Sequence, residues 1–299
     1  MDILKDLKKF IKTHKKPVIA IIGATATGKT DVSLKIAKEI GGEIISTDSR
    51  QIYKEMDIAT DVLPLKDRKG VPHHLLAEFS PDHVISMSEY REIAEGIIKD
   101  IYKRKRVPML VGGTFLYISA ILEGYKMDKI PPDEKLRKKL YDLAKKKGNE
   151  AVYEKLVKLD PKAAKKIHMN NLRYVIRAIE INMAGKKKVD KKARKSPYDT
   201  YMIGLTRPRA EIYERINKRV DAQVERGLIK EVEKLLKKGY DLSLPSMTSL
   251  GVKEIIPYIK KKMSLEECLE ILKMNTRRYA KRQTTWLKRY KSVKWLKNL

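Results

Sequence analysis

Short apolar runs and helical stripes alternate along the first part of the chain. Pro17-Val18-Ile19-Ala20-Ile21-Ile22 is unbroken, rich in β-branched side chains and ended by Gly23. That is the pattern of a strand buried on both faces of a parallel sheet. Thr30 to Ile40 follows, with Val32, Leu34, Ile36, Ala37 and Ile40 apolar and Gly41-Gly42 after them, which predicts a helix and its stop. Ile44-Ile45-Ser46-Thr47 predicts a second strand, Ser88 to Tyr102 another helix, and Val107 to Val111 a third strand. This rhythm implies a doubly wound, parallel α/β sheet.

Near Asp128 the pattern changes. Charged helical segments run to Ala184, punctuated by Pro131-Pro132 and Asp160-Pro161, and Lys186 to Lys195 (KKKVDKKARK) holds seven basic residues and one acid. A mainly helical insertion is expected there, with a basic loop or strand edge after it. Tyr201-Met202-Ile203-Gly204-Leu205 returns to strand character. A long helix then carries Ile212, Ile216, Val220 and Val224 on one face; Gly227 interrupts it and Gly239 ends its continuation. The expected divisions are an α/β core over 1–127, the helical insertion over 128–199, and a return to the core with a basic helical C-terminus over 200–299.

Composition narrows the kind of partner. The chain has 299 residues, 42 % of them apolar, enough to bury one large core or two modest ones. Lys and Arg number 67 against 38 Asp and Glu, a net charge of +29, which points to a polyanionic partner, most simply a nucleic acid. A lysine-rich surface without that role is the plainer alternative. The last 27 residues, Lys273 to Leu299, hold ten Lys or Arg and no acid, with Tyr279, Trp286, Tyr290 and Trp295 interleaved. Such a segment can grip phosphates while its aromatics stack on bases or pack internally. The single cysteine, Cys268, excludes an intramolecular disulfide and a cysteine zinc site, and its spacing with Leu265, Leu269 and Leu272 makes it a core thiol. Met1 to Lys16 is charged throughout, without the apolar segment of a signal peptide, and no apolar run nears the ~18 residues of a membrane span. A cytoplasmic chain with no membrane partner is expected.

Chemistry enters with Gly23-Ala24-Thr25-Ala26-Thr27-Gly28-Lys29-Thr30. It matches G-x-x-x-x-G-K-[ST] between a predicted strand and a predicted helix, the context a P-loop requires. Its glycines let the backbone curl so that N–H groups point at phosphate oxygens, and the helix N-terminus adds positive potential. Lys29 reaches the phosphates, and the Thr30 hydroxyl is the candidate Mg²⁺ ligand. The motif specifies phosphate without identifying the compound. In open α/β sheets ligands collect past the carboxyl ends of the strands, where Thr47-Asp48-Ser49 and Gly112-Gly113-Thr114 also fall. Asp48 reads as a general base, an outer Mg²⁺ partner, or a cap on the turn. Thr114 reads as a ligand hydroxyl or a helix cap. Arg215 and Arg219 share a helix face with Gln223 next along it, which pattern alone leaves as a solvated pair.

Five separated motifs, in order and over nearly the whole chain, resemble the tRNA dimethylallyltransferases. They are Gly23 to Thr30 with Ser46-Thr47-Asp48-Ser49-Arg50-Gln51-Ile52-Tyr53-Lys54; Pro72-His73-His74-Leu75; Val111-Gly112-Gly113-Thr114-Phe115-Leu116-Tyr117; Arg219-Val220-Asp221; and Lys281-Arg282-Gln283-Thr284-Thr285-Trp286-Leu287. The resemblance implies that the P-loop holds the pyrophosphate of dimethylallyl pyrophosphate. The acceptor it implies is the adenosine 3′ of the anticodon in tRNAs reading codons that begin with U. By the same resemblance Asp48 is the base on the exocyclic amine, Thr114 hydrogen-bonds the bridging oxygen of the leaving pyrophosphate, and Arg219 contacts that pyrophosphate. Implied tRNA contacts fall on Asp48, Ser49, Arg50 and Gln51, on Arg173 and Arg177, on Gly251, and on Lys281, Arg282, Gln283, Trp286 and Lys288. Mg²⁺ is the implied cofactor and a monomer the implied working unit.

The sequence departs from the family pattern in three respects. Ala59-Thr60-Asp61-Val62-Leu63-Pro64 stands where the family commonly has Gly-Thr-Ala-Lys-Pro, Gly251-Val252-Lys253 where it often has Gly-Tyr-Lys, and no C-terminal zinc finger follows, the expectation being a bacterial-type member. His73-His74 reads as loop packing and hydrogen bonding, not metal ligation. The rival functions are a P-loop nucleoside or nucleotide kinase, a prenyltransferase acting on free adenylate, and a non-catalytic phosphate-dependent RNA switch.

Overall fold

The computed structural model describes residues 3–123, 130–185, 196–290 and 292–297; the basic run Lys186–Lys195 lies outside them. The chain divides into two compact units, one made of Met1–Gly124 with Lys195–Leu299, the other of Tyr125–Arg194.

The first unit is built on β1 (Pro17–Gly23), β2 (Gly42–Ser46), β3 (His73–His74), β4 (Val107–Gly112), β5 (Asp199–Thr206) and β6 (Val293–Lys297). All pair in parallel, in the order β3-β2-β4-β1-β5-β6. Alternate side chains of a strand leave opposite faces, and here both faces are buried. Val18, Ala20 and Ile22 of β1 enter one core with side chains of α3 (Met87–Lys103), α4 (Phe115–Leu122), α8 (Arg209–Glu225), α9 (Leu228–Lys237), α10 (Val252–Ile259) and α11 (Leu265–Leu287). Ile19 and Ile21 enter the other with α1 (Ile3–Thr13) and α2 (Lys29–Ile40). Each fully buried isoleucine contributes about 1.5–3 kcal/mol, so the unbroken apolar run of β1 belongs at the centre of the sheet.

The expected helical C-terminus is only partly helical. α11 ends at Leu287, and Val293–Lys297 forms the edge strand β6 beside β5. Val-Lys-Trp-Leu-Lys alternates over its first three residues, a strand period that its basic composition obscures. Trp295 packs over Gly204, where any side chain would meet its ring. The histidine pair is also edge strand and not loop: His74 lies opposite Ile45, and its Nε2 is 2.8 Å from Glu43 Oε2.

The second unit is helical, with α5 (Glu134–Leu159), α6 (Pro161–Ala164) and α7 (Leu172–Met183) around Val152, Leu156, Val175 and Ile179. Its buried Glu180 accepts from Arg137 Nε at 2.7 Å, Arg177 Nη1 at 3.1 Å and the Asp133 amide at 3.0 Å. A carboxylate out of water needs such charge-assisted partners. No helix among the described residues is long and apolar enough to cross a membrane.

Candidate active site

The turn from β1 into α2 is the centre of the site. Gly28 takes φ 94°, and α2 begins at the next residue with no side chain capping it. The carbonyls of this turn are held from behind by cations: Lys29 Nζ donates to Ala24 O at 2.8 Å, Arg215 Nε to Ala26 O at 2.8 Å, and Arg207 Nε to Thr27 O at 3.1 Å. Arg219 Nη1 donates to Thr25 Oγ1 at 3.1 Å. Four positive side chains therefore surround a backbone turn whose helix-start N–H groups already favour anions. Burial depresses the Lys29 ammonium most; the Asp48 carboxylate opposes this and Arg219 adds repulsion, leaving it at about 8.

The carboxyl ends of β2 and β4 lock together beside this turn. The Thr47 N–H donates to Val111 O at 2.8 Å, and the Thr114 N–H donates to Thr47 O at 3.0 Å. Thr114 Oγ1 accepts from the Ser49 N–H at 3.1 Å. Asp48 Oδ1 accepts from the Arg50 and Gln51 amides at 2.9 and 3.4 Å, so the capping role open in the sequence is filled by one oxygen. Its other oxygen, Oδ2, takes no hydrogen bond from the described residues. Thr114 precedes α4 without capping it, so its hydroxyl serves the strand ends instead.

Gln283 ties the two parts. Its Nε2 donates to Gly113 O at 3.0 Å and its Oε1 accepts from the Thr25 N–H at 2.8 Å. A side chain at Gly113 would collide with that amide, which explains a glycine there. Gln283 is buried, and it braces the site from within. Gly251 is buried too, against Ala59, with its N–H given to Glu254 at 3.0 Å.

Arg219 has a partner that sequence reasoning missed. Its Nε lies 3.3 Å from Asp61 Oδ2, and Arg226 Nη2 lies 2.8 Å from Asp61 Oδ1. Burial works to raise the Asp61 carboxyl, but the two guanidiniums outweigh it and hold it below the ordinary range. Asp61 is one of the residues that depart from the family pattern. The segment before it is clamped by Glu231, which accepts from the Ile58 and Ala59 amides at 2.8 Å, and by Gln223, whose Nε2 donates to the Ile58 carbonyl at 2.7 Å. Gln51 Nε2 donates to the carbonyls of Thr60 and Asp61, both at 3.0 Å, and Arg50 reaches the Pro245 carbonyl.

Most of the remaining expected residues lie on open surface. Lys281, Arg282, Trp286 and Lys288 are exposed along the outer side of α11 and its end, with Arg289 stacked 4.3 Å over the Trp286 ring. Thr30 is exposed in the first turn of α2, and Ser49 is half-buried. In the helical unit Arg173 is exposed, whereas Arg177 is engaged with Glu180 and the Ile130 carbonyl.

Acid, hydroxyl and cationic groups collected past the carboxyl ends of a parallel sheet define an α/β enzyme. The family model for IPP transferases matches residues 51–290, and a model for isopentenyl transferases matches residues 16–68. The chain belongs to the IPP transferase family. It is 46 % identical over 284 residues to the tRNA dimethylallyltransferase of Acetivibrio thermocellus, covering 93 % of this chain and 91 % of that one. Among solved structures it is similar to the tRNA isopentenylpyrophosphate transferase of Bacillus halodurans, at 42 % identity and TM-score 0.71, over 95 % of this chain and 90 % of that one. It is also similar to a eukaryotic dimethylallyltransferase acting on tRNA, at 31 % identity and TM-score 0.81, over 95 % of this chain and 74 % of that one.

Proposed function

We propose that this enzyme moves the dimethylallyl group of dimethylallyl pyrophosphate to the exocyclic amine of the adenosine 3′-adjacent to the anticodon. Its substrates are tRNAs reading codons that begin with U, and it works as a cytoplasmic monomer. The observation that carries the reading is the convergence on one backbone turn of Lys29 and Arg219, with Thr114 and the uncommitted oxygen of Asp48 beside it. Relatives named tRNA dimethylallyltransferase at this identity and coverage support the same chemistry.

In the reaction the amine nitrogen bonds to the allylic carbon while the carbon–oxygen bond to pyrophosphate breaks. Negative charge grows on the leaving group, so N–H groups of the turn, Lys29 and Arg219 stabilise the transition state more than the ground state. Thr114 donates to the bridging oxygen. The amine is weakly basic because its lone pair is shared with the purine, and it loses its proton to Asp48. The target base leaves its stack at a cost of a few kcal/mol, least in a loop whose bases are already open. The exposed basic and aromatic surface of α11 supports a polymeric RNA acceptor over free adenylate.

The residues fit Mg²⁺ as a lightly held ion. The exposed Thr30 hydroxyl is a hard oxygen donor, and the described residues contain no cluster of three or more His, Cys, Asp or Glu that would cage a metal. Thr30 and substrate phosphate oxygens would hold it, as is usual for this ion. When bound, it neutralises pyrophosphate charge.

Mass spectrometry of nucleosides from tRNA incubated with dimethylallyl pyrophosphate and Mg²⁺ tests the reading. Prenylated adenosine at the position after the anticodon is expected. Prenylation of AMP but not of an anticodon stem-loop, or turnover of ATP without any prenyl product, would overturn it.

A further inference from the structure

An acid stands beside a turn whose proposed ligand is an anion. Arg219 joins the two: its Nη1 donates to Thr25 Oγ1 in the turn at 3.1 Å, while its Nε lies 3.3 Å from Asp61 Oδ2. Asp61 Oδ1 also holds Arg226 Nη2 at 2.8 Å. Asp61 is the only charged residue of Ala59-Thr60-Asp61-Val62-Leu63-Pro64, where the family pattern carries a lysine instead. The backbone fixes this carboxylate in place. Gln51 Nε2 donates to the carbonyls of Thr60 and Asp61, both at 3.0 Å, and the Asp61 N–H donates to Ile58 O at 3.2 Å. Glu231 and Gln223 clamp residues 58 and 59 just before it. Asp61 itself sits at φ 56°, a left-handed conformation that Asn and Asp tolerate best among residues other than glycine. Burial opposes its ionisation, but the two guanidiniums hold its carboxyl below the ordinary range, so it is charged at neutral pH.

We propose that Asp61 weakens the grip of the turn on pyrophosphate: paired with Arg219, it offsets part of the positive charge that meets the departing group and so favours its release. This rests on the reading of Arg219 as a pyrophosphate contact given above. The need for an offset follows from the reaction. Groups that stabilise growing charge on a leaving group also hold it after the bond has broken. Lys29, Arg207, Arg215 and Arg219 all reach this turn. Acting across one guanidinium, a span of roughly 7 Å, a unit negative charge weakens the binding of a dianion by about 10-fold.

Inhibition of prenyl transfer by inorganic pyrophosphate, in competition with dimethylallyl pyrophosphate at fixed tRNA and Mg²⁺, tests it. Asp61→Asn keeps the side-chain volume and tolerates the same φ while removing the charge. Its inhibition constant for pyrophosphate should be about 10-fold lower than that of the native enzyme. The difference should shrink as salt approaches about 1 M, where the screening length falls to about 3 Å. A loosened fold would weaken binding, so tighter binding separates lost charge from lost structure. Should Asp61→Asn fail to fold, Asp61→Gly, at ease at positive φ, replaces it and should show the same gain. If pyrophosphate competes with the donor in the native enzyme but binds the variant no more tightly, the inference fails alone. A gain that salt leaves intact would also overturn it. Absence of competition in the native enzyme would remove the reading of the turn as a pyrophosphate cradle, and this inference with it.

Discussion

Gln283→Leu separates a brace from an RNA contact. The leucine keeps approximately the volume of the side chain and removes both ends of the amide. The Gly113 carbonyl, on a fully buried residue, loses its 3.0 Å donor, and the Thr25 N–H, on a half-buried one, loses its 2.8 Å acceptor. A buried group left without a partner costs about 1–3 kcal/mol, and a group that water can reach about half that. The sum is roughly 2–4 kcal/mol of stability, and the turn at 24–28 loses its tie to the end of β4. Urea unfolding reads the first effect as a lower midpoint with an unchanged slope. Steady-state kinetics reads the second as a higher KM for dimethylallyl pyrophosphate. Filter binding of tRNA should be unchanged, because Gln283 faces inward while Lys281, Arg282 and Trp286 face out. An unchanged urea midpoint together with weakened tRNA binding would refute the reasoning and return Gln283 to the RNA surface.

Asp48→Ala should lower turnover by ~10²–10⁴ while tRNA still binds, as single-turnover rates and a binding isotherm would reveal; near-normal turnover would exclude Asp48 as the base. Replacing Lys281 and Arg282 together by alanine should weaken tRNA binding and reduce the slope of log affinity against log salt by about 2; an unchanged slope means these side chains do not meet phosphates. Lys29 sets a pH dependence. With its ammonium lowered to about 8 in the free enzyme, it is increasingly neutral above that pH, and a bound pyrophosphate restores its charge. Donor binding therefore takes up a proton above about pH 8, and donor KM should rise between about pH 8 and pH 10. In Lys29→Arg, charged throughout, that rise should be absent.

The local structure around the turn was legible because its causes are local. An unbroken β-branched run, two glycines at fixed spacing and a helical stripe specify β1, the turn and α2 without reference to the rest of the chain. The strand-end positions of Asp48 and Thr114 follow from the same short-range pattern. The functional expectation came from motif order, which survives separation in sequence. Chain folding decided what long-range contacts alone can decide. Asp61 reaches Arg219, and Gln283 reaches Thr25 and Gly113, across 158, 258 and 170 residues of chain, and no periodicity encodes which turn of a distant helix meets which strand end. For the same reason the burial of Gln283 and Gly251 was not legible in their spacing, and the basic tail reads as helix while its last segment pairs with β5. Composition and spacing determine which groups the chain owns and which element each belongs to. Burial and the pairing of charges depend on the packed surfaces around them, and those exist only once the sheet and its helices have assembled.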